Sequence, residues 1–93
     1  MAGGREFEWD AAKAEANLVK HGVPFAYAAR VFLDARMVDI DASRTGDREA
    51  RRKAIGLIEG RLVVVVYTDR DGVCRLISAR RTNVKEERAY GPL

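Results

Sequence analysis

The chain has 93 residues, 47% apolar and 33% charged, values that exclude a disordered polymer and predict one domain over residues 1–93, with residues 1–6 flexible. A single cysteine, Cys74, excludes an intrachain disulfide and points to a reducing cytoplasm; the longest apolar run, Leu62–Tyr67, is too short to span a bilayer, and no signal peptide is expected. The net charge of +3 is uneven, −2 over residues 1–43 and +5 over residues 44–93, which fits either an anionic partner or an ordinary solvated surface.

Asp10 is placed to cap a helix over Ala11–His21, and Gly22 to end it. Ala11, Ala14 and Leu18 share one stripe of that helix. Lys20 and His21 fall in its last turn, where cations meet the negative end of the dipole. Pro24 opens a second, short helix carrying Phe25, Ala28, Ala29 and Phe32 at helical spacing. After a break at Leu33-Asp34-Ala35, residues 36–41 alternate: Val38 and Ile40 on one face, Asp39 and Asp41 on the other. That is a half-buried strand. Residues 42–47 are a polar loop.

Residues 51–58 form a second strand, and Glu59-Gly60 is a two-residue hairpin signal. Residues 61–68 are the strongest strand. Val63 to Val66 are apolar on both faces, which predicts a central position. Asp69-Arg70-Asp71-Gly72 is a turn, and residues 73–81 return as a strand. Asn83 with Glu86 has capping-box spacing and starts a last helix that stops at Gly91-Pro92. The order α-α-β-β-β-β-α predicts an α+β fold, a four-stranded antiparallel sheet packed against helices.

The chemistry concentrates in Ser78-Ala79-Arg80-Arg81-Thr82. An apolar strand runs straight into two arginines and then a helix cap. Guanidinium is a planar fork suited to phosphate. Simple alternation pairs Arg80 with Leu76 and Ser78, and Arg81 with Ile77 and Ala79. At most one of the two then touches a scissile phosphate. The other binds flanking RNA, caps the last helix or meets a protein partner. One histidine and one cysteine make no zinc spacing, no phosphate-binding glycine loop is present, and no cofactor is implied. Asp39 and Asp41 share a face and could hold Mg²⁺, but such a pair is more often the solvent face of an edge strand.

What remains are cations and hydroxyls: Lys13, Lys20, His21, Arg51, Arg52, Lys53, Tyr67, Arg80, Arg81 and Tyr90. Metal-free RNA cleavage uses such groups. A base takes the 2′-OH proton, an acid protonates the leaving 5′-oxygen, and fixed cations stabilise the charge between. Histidine ordinarily titrates near neutrality, which favours His21 for proton transfer; the plainer reading is a helix C-terminal cap. Tyr67 reads equally as a core aromatic with its hydroxyl at solvent. Arg51-Arg52-Lys53 reads equally as a solvated strand start.

Phe7-Glu8-Trp9-Asp10 followed by Asn17-Leu18-Val19-Lys20-His21-Gly22-Val23-Pro24-Phe25 resembles the opening of the BrnT family of type II toxins. Ala28 to Asp34, Val65-Val66-Tyr67-Thr68, Ile77 to Arg81 and Glu86 to Tyr90 resemble its later blocks in the same order. The resemblance implies a RelE-like ribonuclease toxin that cleaves mRNA without a metal and inhibits translation. It implies a BrnA-like antitoxin, promoter DNA bound through the toxin–antitoxin complex, and a homodimer or heterotetramer. By position it implies Arg80, Arg81, His21, Lys20 and Tyr67 as the catalytic set. Arg51, Arg52, Lys13 and Tyr90 would then bind RNA. Residues 42–53 and the tight Glu59-Gly60 turn depart from the family pattern. The alternative is a non-catalytic co-repressor whose arginines grip an acidic antitoxin or DNA.

Overall fold

A computed structural model describes residues 5–93. The elements are β1 (Glu6–Glu8), α1 (Ala11–His21), α2 (Phe25–Ala28) running into a 3₁₀ turn (Ala29–Leu33), β2 (Val38–Asp41), β3 (Arg52–Ile58), β4 (Arg61–Arg70), β5 (Val73–Arg81) and α3 (Val84–Tyr90). The α+β class is as expected, but the sheet has five strands in the order β1-β5-β4-β3-β2. The fifth strand is β1, which pairs parallel to β5 and precedes the first helix. Glu6-Phe7-Glu8 alternates, but three residues are too short to carry a strand signal, and pairing with β5 makes them one. Of the segment 1–6 expected to be flexible, Glu6 opens β1, and residues 1–4 lie outside the described residues. The RelE-like order of two helices, four strands and a helix is corrected by that leading strand.

Local signals set most boundaries. The Asp10 carboxylate accepts from the Ala12 and Lys13 N–H groups, and Gly22 ends α1 at φ 72° with its N–H donating to Leu18 O. Glu59 and Gly60 sit at φ 50° and 81°, and Asp71 and Gly72 at 50° and 84°. Positive φ at both central residues makes each a tight turn of the kind that matches strand twist. Asn83 and Glu86 form the expected reciprocal capping box.

β4 is central, and its two faces are covered differently. The helix face holds Val63, Val65 and Tyr67 against Val23, Phe25, Ala28 and Val31. The opposite face holds Val64 with Ile55 and Tyr90, under α3. Gly56 makes the first packing possible. A Cβ there would lie 2.8 Å from both Val31 Cβ and Val31 O, so only glycine lets the 3₁₀ turn lie on β3. Asp34 then ties the layers, accepting from Leu57 N at 2.8 Å and from Tyr90 Oη at 2.6 Å.

Two expectations about faces are corrected. On α1 the buried residue is Asn17, while Leu18 is 47% exposed. Past the end of β1, the edge of β5 is open, and Asn17 closes it as a strand would. Its Oδ1 accepts from Ala79 N at 3.1 Å and its Nδ2 donates to Ala79 O at 2.8 Å. On β5, a bulge breaks simple alternation. Val66 pairs with Ser78 and Tyr67 with Leu76, leaving Ile77 without an opposite residue. Leu76 therefore joins Ala79 and Arg81 on the helix face, and Arg80 shares the other face with Ser78 but not with Leu76.

Candidate active site

Strand alternation places the two arginines on opposite faces of the sheet. Arg80 lies opposite Val64, on the α3 face. Its guanidinium forks onto the Glu86 carboxylate at 2.7 and 2.8 Å, and Lys53 Nζ reaches the same carboxylate at 2.9 Å. The Asn83 N–H adds a fourth bond at 2.9 Å. Glu86 is 2% exposed. Burial alone would raise its pKa, but the bonds from Arg80, the Asn83 N–H and Lys53 bring it down to about 2. A buried carboxylate of this kind is tolerated because every lone pair is used. Arg80 is thereby committed to anchoring α3 on the sheet.

Tyr67 is 2% exposed on the helix face, ringed by Phe32 at 5.1 Å between centroids. Its hydroxyl donates to Asp39 Oδ2 at 2.7 Å, and burial followed by that bond pushes its pKa up to about 12. Arg52 completes the trio, its Nε 2.9 Å from Asp39 Oδ1. Asp39 is thus engaged by protein groups, and Asp41 accepts from the Ser43 N–H. Among the described residues no cluster of three or more metal-ligating side chains forms. Tyr90 is 6% exposed and donates to Asp34, so it is part of the core under α3. Arg51 and Lys13 line a separate cleft on the sheet, and Lys20 is exposed on α1.

His21 and Arg81 do come to one site. Both line a cleft of about 580 Å³ together with Tyr27, Arg61 and the backbone around Gly22-Val23-Pro24. Four elements build it: the end of α1, the start of α2, the β3–β4 hairpin and the last residue of β5. Tight junctions hold these elements. Gly22 turns the chain sharply after His21, and Asn17 Nδ2 donates to Val23 O at 3.2 Å while gripping Ala79, two residues before Arg81. Asn17 therefore positions the histidine end of α1 against the arginine end of β5. Glu59 at the cleft rim faces Arg30 at 3.5 Å. Among the described residues, no ion pair engages His21, Arg61 or Arg81. The cleft thus gathers an imidazole and two guanidiniums that no ion pair engages, beside Tyr27, whose ring packs against the core and under Arg30. Such a set can bind a phosphodiester and move a proton beside it.

The five residues expected to form one catalytic set occupy separate places: Arg80 under α3, Tyr67 in the core, Lys20 on the outer surface of α1, and His21 with Arg81 in the cleft. Tyr27 and Arg61 were not singled out from sequence. Tyr27 sits on a four-residue helix with no motif around it, and Arg61 is one of many surface arginines. Only their convergence marks them. Asn17 did carry a signal, a polar residue one position from an apolar stripe.

The family described as "Ribonuclease toxin, BrnT, of type II toxin-antitoxin system" matches residues 9–86 of this chain. No curated protein matches it.

Proposed function

The chain belongs to the family of BrnT ribonuclease toxins of type II toxin–antitoxin systems, and from that premise we propose that it is a metal-independent endoribonuclease that cuts mRNA and so inhibits translation, with the His21–Arg81 cleft as its active site. The observation that carries this reading is the convergence of His21, Tyr27, Arg61 and Arg81 in one cleft. Arg81 and Arg61 hold the scissile phosphate and stabilise the charge that grows on it as the 2′-oxygen attacks phosphorus. His21 takes the 2′-OH proton. The bond from phosphorus to the 5′-oxygen breaks, leaving a 2′,3′-cyclic phosphate, and the departing 5′-oxygen takes a proton from solvent water to become a hydroxyl. Tyr27 offers an aromatic face for a base beside the cut. The two guanidiniums supply the positive charge a metal ion would otherwise bring.

Membership of a type II toxin–antitoxin family implies an antitoxin partner. We infer a BrnA-like antitoxin that covers the cleft, with promoter DNA reached through the complex and a homodimer or heterotetramer as the assembly. The setting we infer is the cytoplasm, and no described helix is long and apolar enough to cross a membrane.

Purified chain, freed of antitoxin, is incubated with RNA in EDTA. Cleavage to cyclic-phosphate ends is expected, and His21→Ala and Arg81→Ala should each lose about a hundredfold or more. Arg80→Ala, assayed where it is folded, should keep most of the activity. Full activity in both cleft variants, or loss of cutting in EDTA, would overturn the assignment.

A further inference from the structure

A second cleft, of about 330 Å³, opens on the sheet near the turn between β4 and β5 and is lined by Lys13, Arg48, Arg51, Arg70 and Arg75. Its floor follows from register. Thr68 and Arg70 are two residues apart on one face of β4, and Arg75 of β5 lies directly opposite Thr68. The lid is the segment between β2 and β3, which brings Asp47 and Glu49 over these cations.

Two observations show what the cleft is shaped for. First, the Glu49 carboxylate sits in the fork of Arg70, with Oε1 2.7 Å from Nη2 and Oε2 2.9 Å from Nε. Two oxygens on two parallel N–H groups is the geometry in which guanidinium takes a phosphate. Second, Thr68 is 4% exposed, yet its hydroxyl has no hydrogen-bond partner among the described residues. A buried hydroxyl left unpaired is unusual, and here it stands beside a group of cations. Asp47, Glu49 and Glu8 pair with Arg51, Arg70 and Arg75, and Lys13 and Arg48, which form no ion pair among the described residues, leave the lining positive.

We propose that this cleft binds the phosphodiester backbone of single-stranded RNA away from the cut, with Glu49 occupying the phosphate position until RNA displaces it. The inference rests on the ribonuclease reading above and names a second contact for the same substrate. Val63 of the first cleft and Thr68 of the second are five residues apart on β4, about 17 Å along the strand and on opposite faces of the sheet, so RNA that reaches both must pass round the sheet. Binding here can therefore change without touching His21 or Arg81.

The test uses the full chain and a labelled, 2′-O-methylated single-stranded RNA that lacks the attacking hydroxyl and cannot be cut. Fluorescence anisotropy gives affinity as a function of salt. Glu49→Gln should tighten binding by roughly threefold, because a neutral amide competes less for Arg70. Arg70→Gln and Lys13→Gln, both at exposed positions, should each weaken binding by roughly fivefold and reduce the slope of log affinity against log salt by about 0.7. Unchanged affinity and slope in all three variants overturns the proposal. So does competition by inorganic phosphate as effective as that of the oligonucleotide, which would mark a simple anion site. Cleavage of unmodified RNA is measured in parallel. Variants that shift binding in a chain that cuts no RNA would sink the ribonuclease reading and leave this cleft standing. Normal cutting with no shift in binding would do the reverse.

Discussion

Glu86→Gln removes one negative charge from a buried cluster and keeps its shape. The carboxylate receives two bonds from Arg80, one from Lys53 and one from the Asn83 N–H. Breaking a buried ion pair by neutralising one partner costs about 3–5 kcal/mol. The two cations are 34% and 25% exposed at their side chains, so water recovers part of that loss. The expected cost at pH 7 is therefore about 2–3 kcal/mol, or a fall in Tm of roughly 10–20 °C for a domain of this size. The pH dependence is diagnostic. The folded-state pKa of about 2 lies below the ordinary 4.5, so the stabilisation is fully present above pH 4.5 and is lost as pH falls toward 2. Urea melts of wild type and variant from pH 7 to pH 3 read this directly. The gap between the two curves should narrow steadily below pH 4.5. A gap under about 0.5 kcal/mol at pH 7, or one that does not change with pH, would refute the argument that Glu86 is a charged anchor for Arg80 and Lys53.

Gly56→Ala drives a Cβ into Val31, backbone included, and should cost about 2–3 kcal/mol in chemical denaturation; a neutral result would mean that the 3₁₀ turn is free to lift off β3. Asn17→Ala leaves Ala79 N and O without partners at the edge of β5 and should lower stability by about 2 kcal/mol. The same variant should lower the RNA-cleaving rate of the folded protein, because the ends carrying His21 and Arg81 are no longer tied; an unchanged rate would remove Asn17 as a positioning residue. Cys74 is fully buried, and burial pushes its thiol up to about 11. A thiol reagent at pH 7 should therefore label it only on unfolding, and rapid labelling of the native chain would contradict that burial.

Much of the fold was legible because its signals are local. Asp10 and Gly22 bound α1, Glu59-Gly60 and Asp71-Gly72 turn the hairpins, and the Asn83–Glu86 box starts α3, each through contacts within a few residues. The valine run of β4 announced a central strand in the same way. What the sequence by itself determined, then, was the type and order of seven elements, all but β1 when α2 and its 3₁₀ turn are taken as one, and a surplus of cations in the second half of the chain. Only the tertiary structure decided which cations are free. A bulge at Ile77 turns Leu76 to the helix face, Glu86 takes Arg80 and Lys53, and Asp39 takes Tyr67 and Arg52. None of those partners is near in sequence except Glu86 to Arg80. Periodicity says which face a side chain takes while a strand stays regular, but not where regularity stops, nor which distant carboxylate will meet it. The paired arginines that stand out in the sequence are therefore divided by the fold: Arg80 into an anchor for α3, and Arg81 into a cleft with His21, Tyr27 and Arg61.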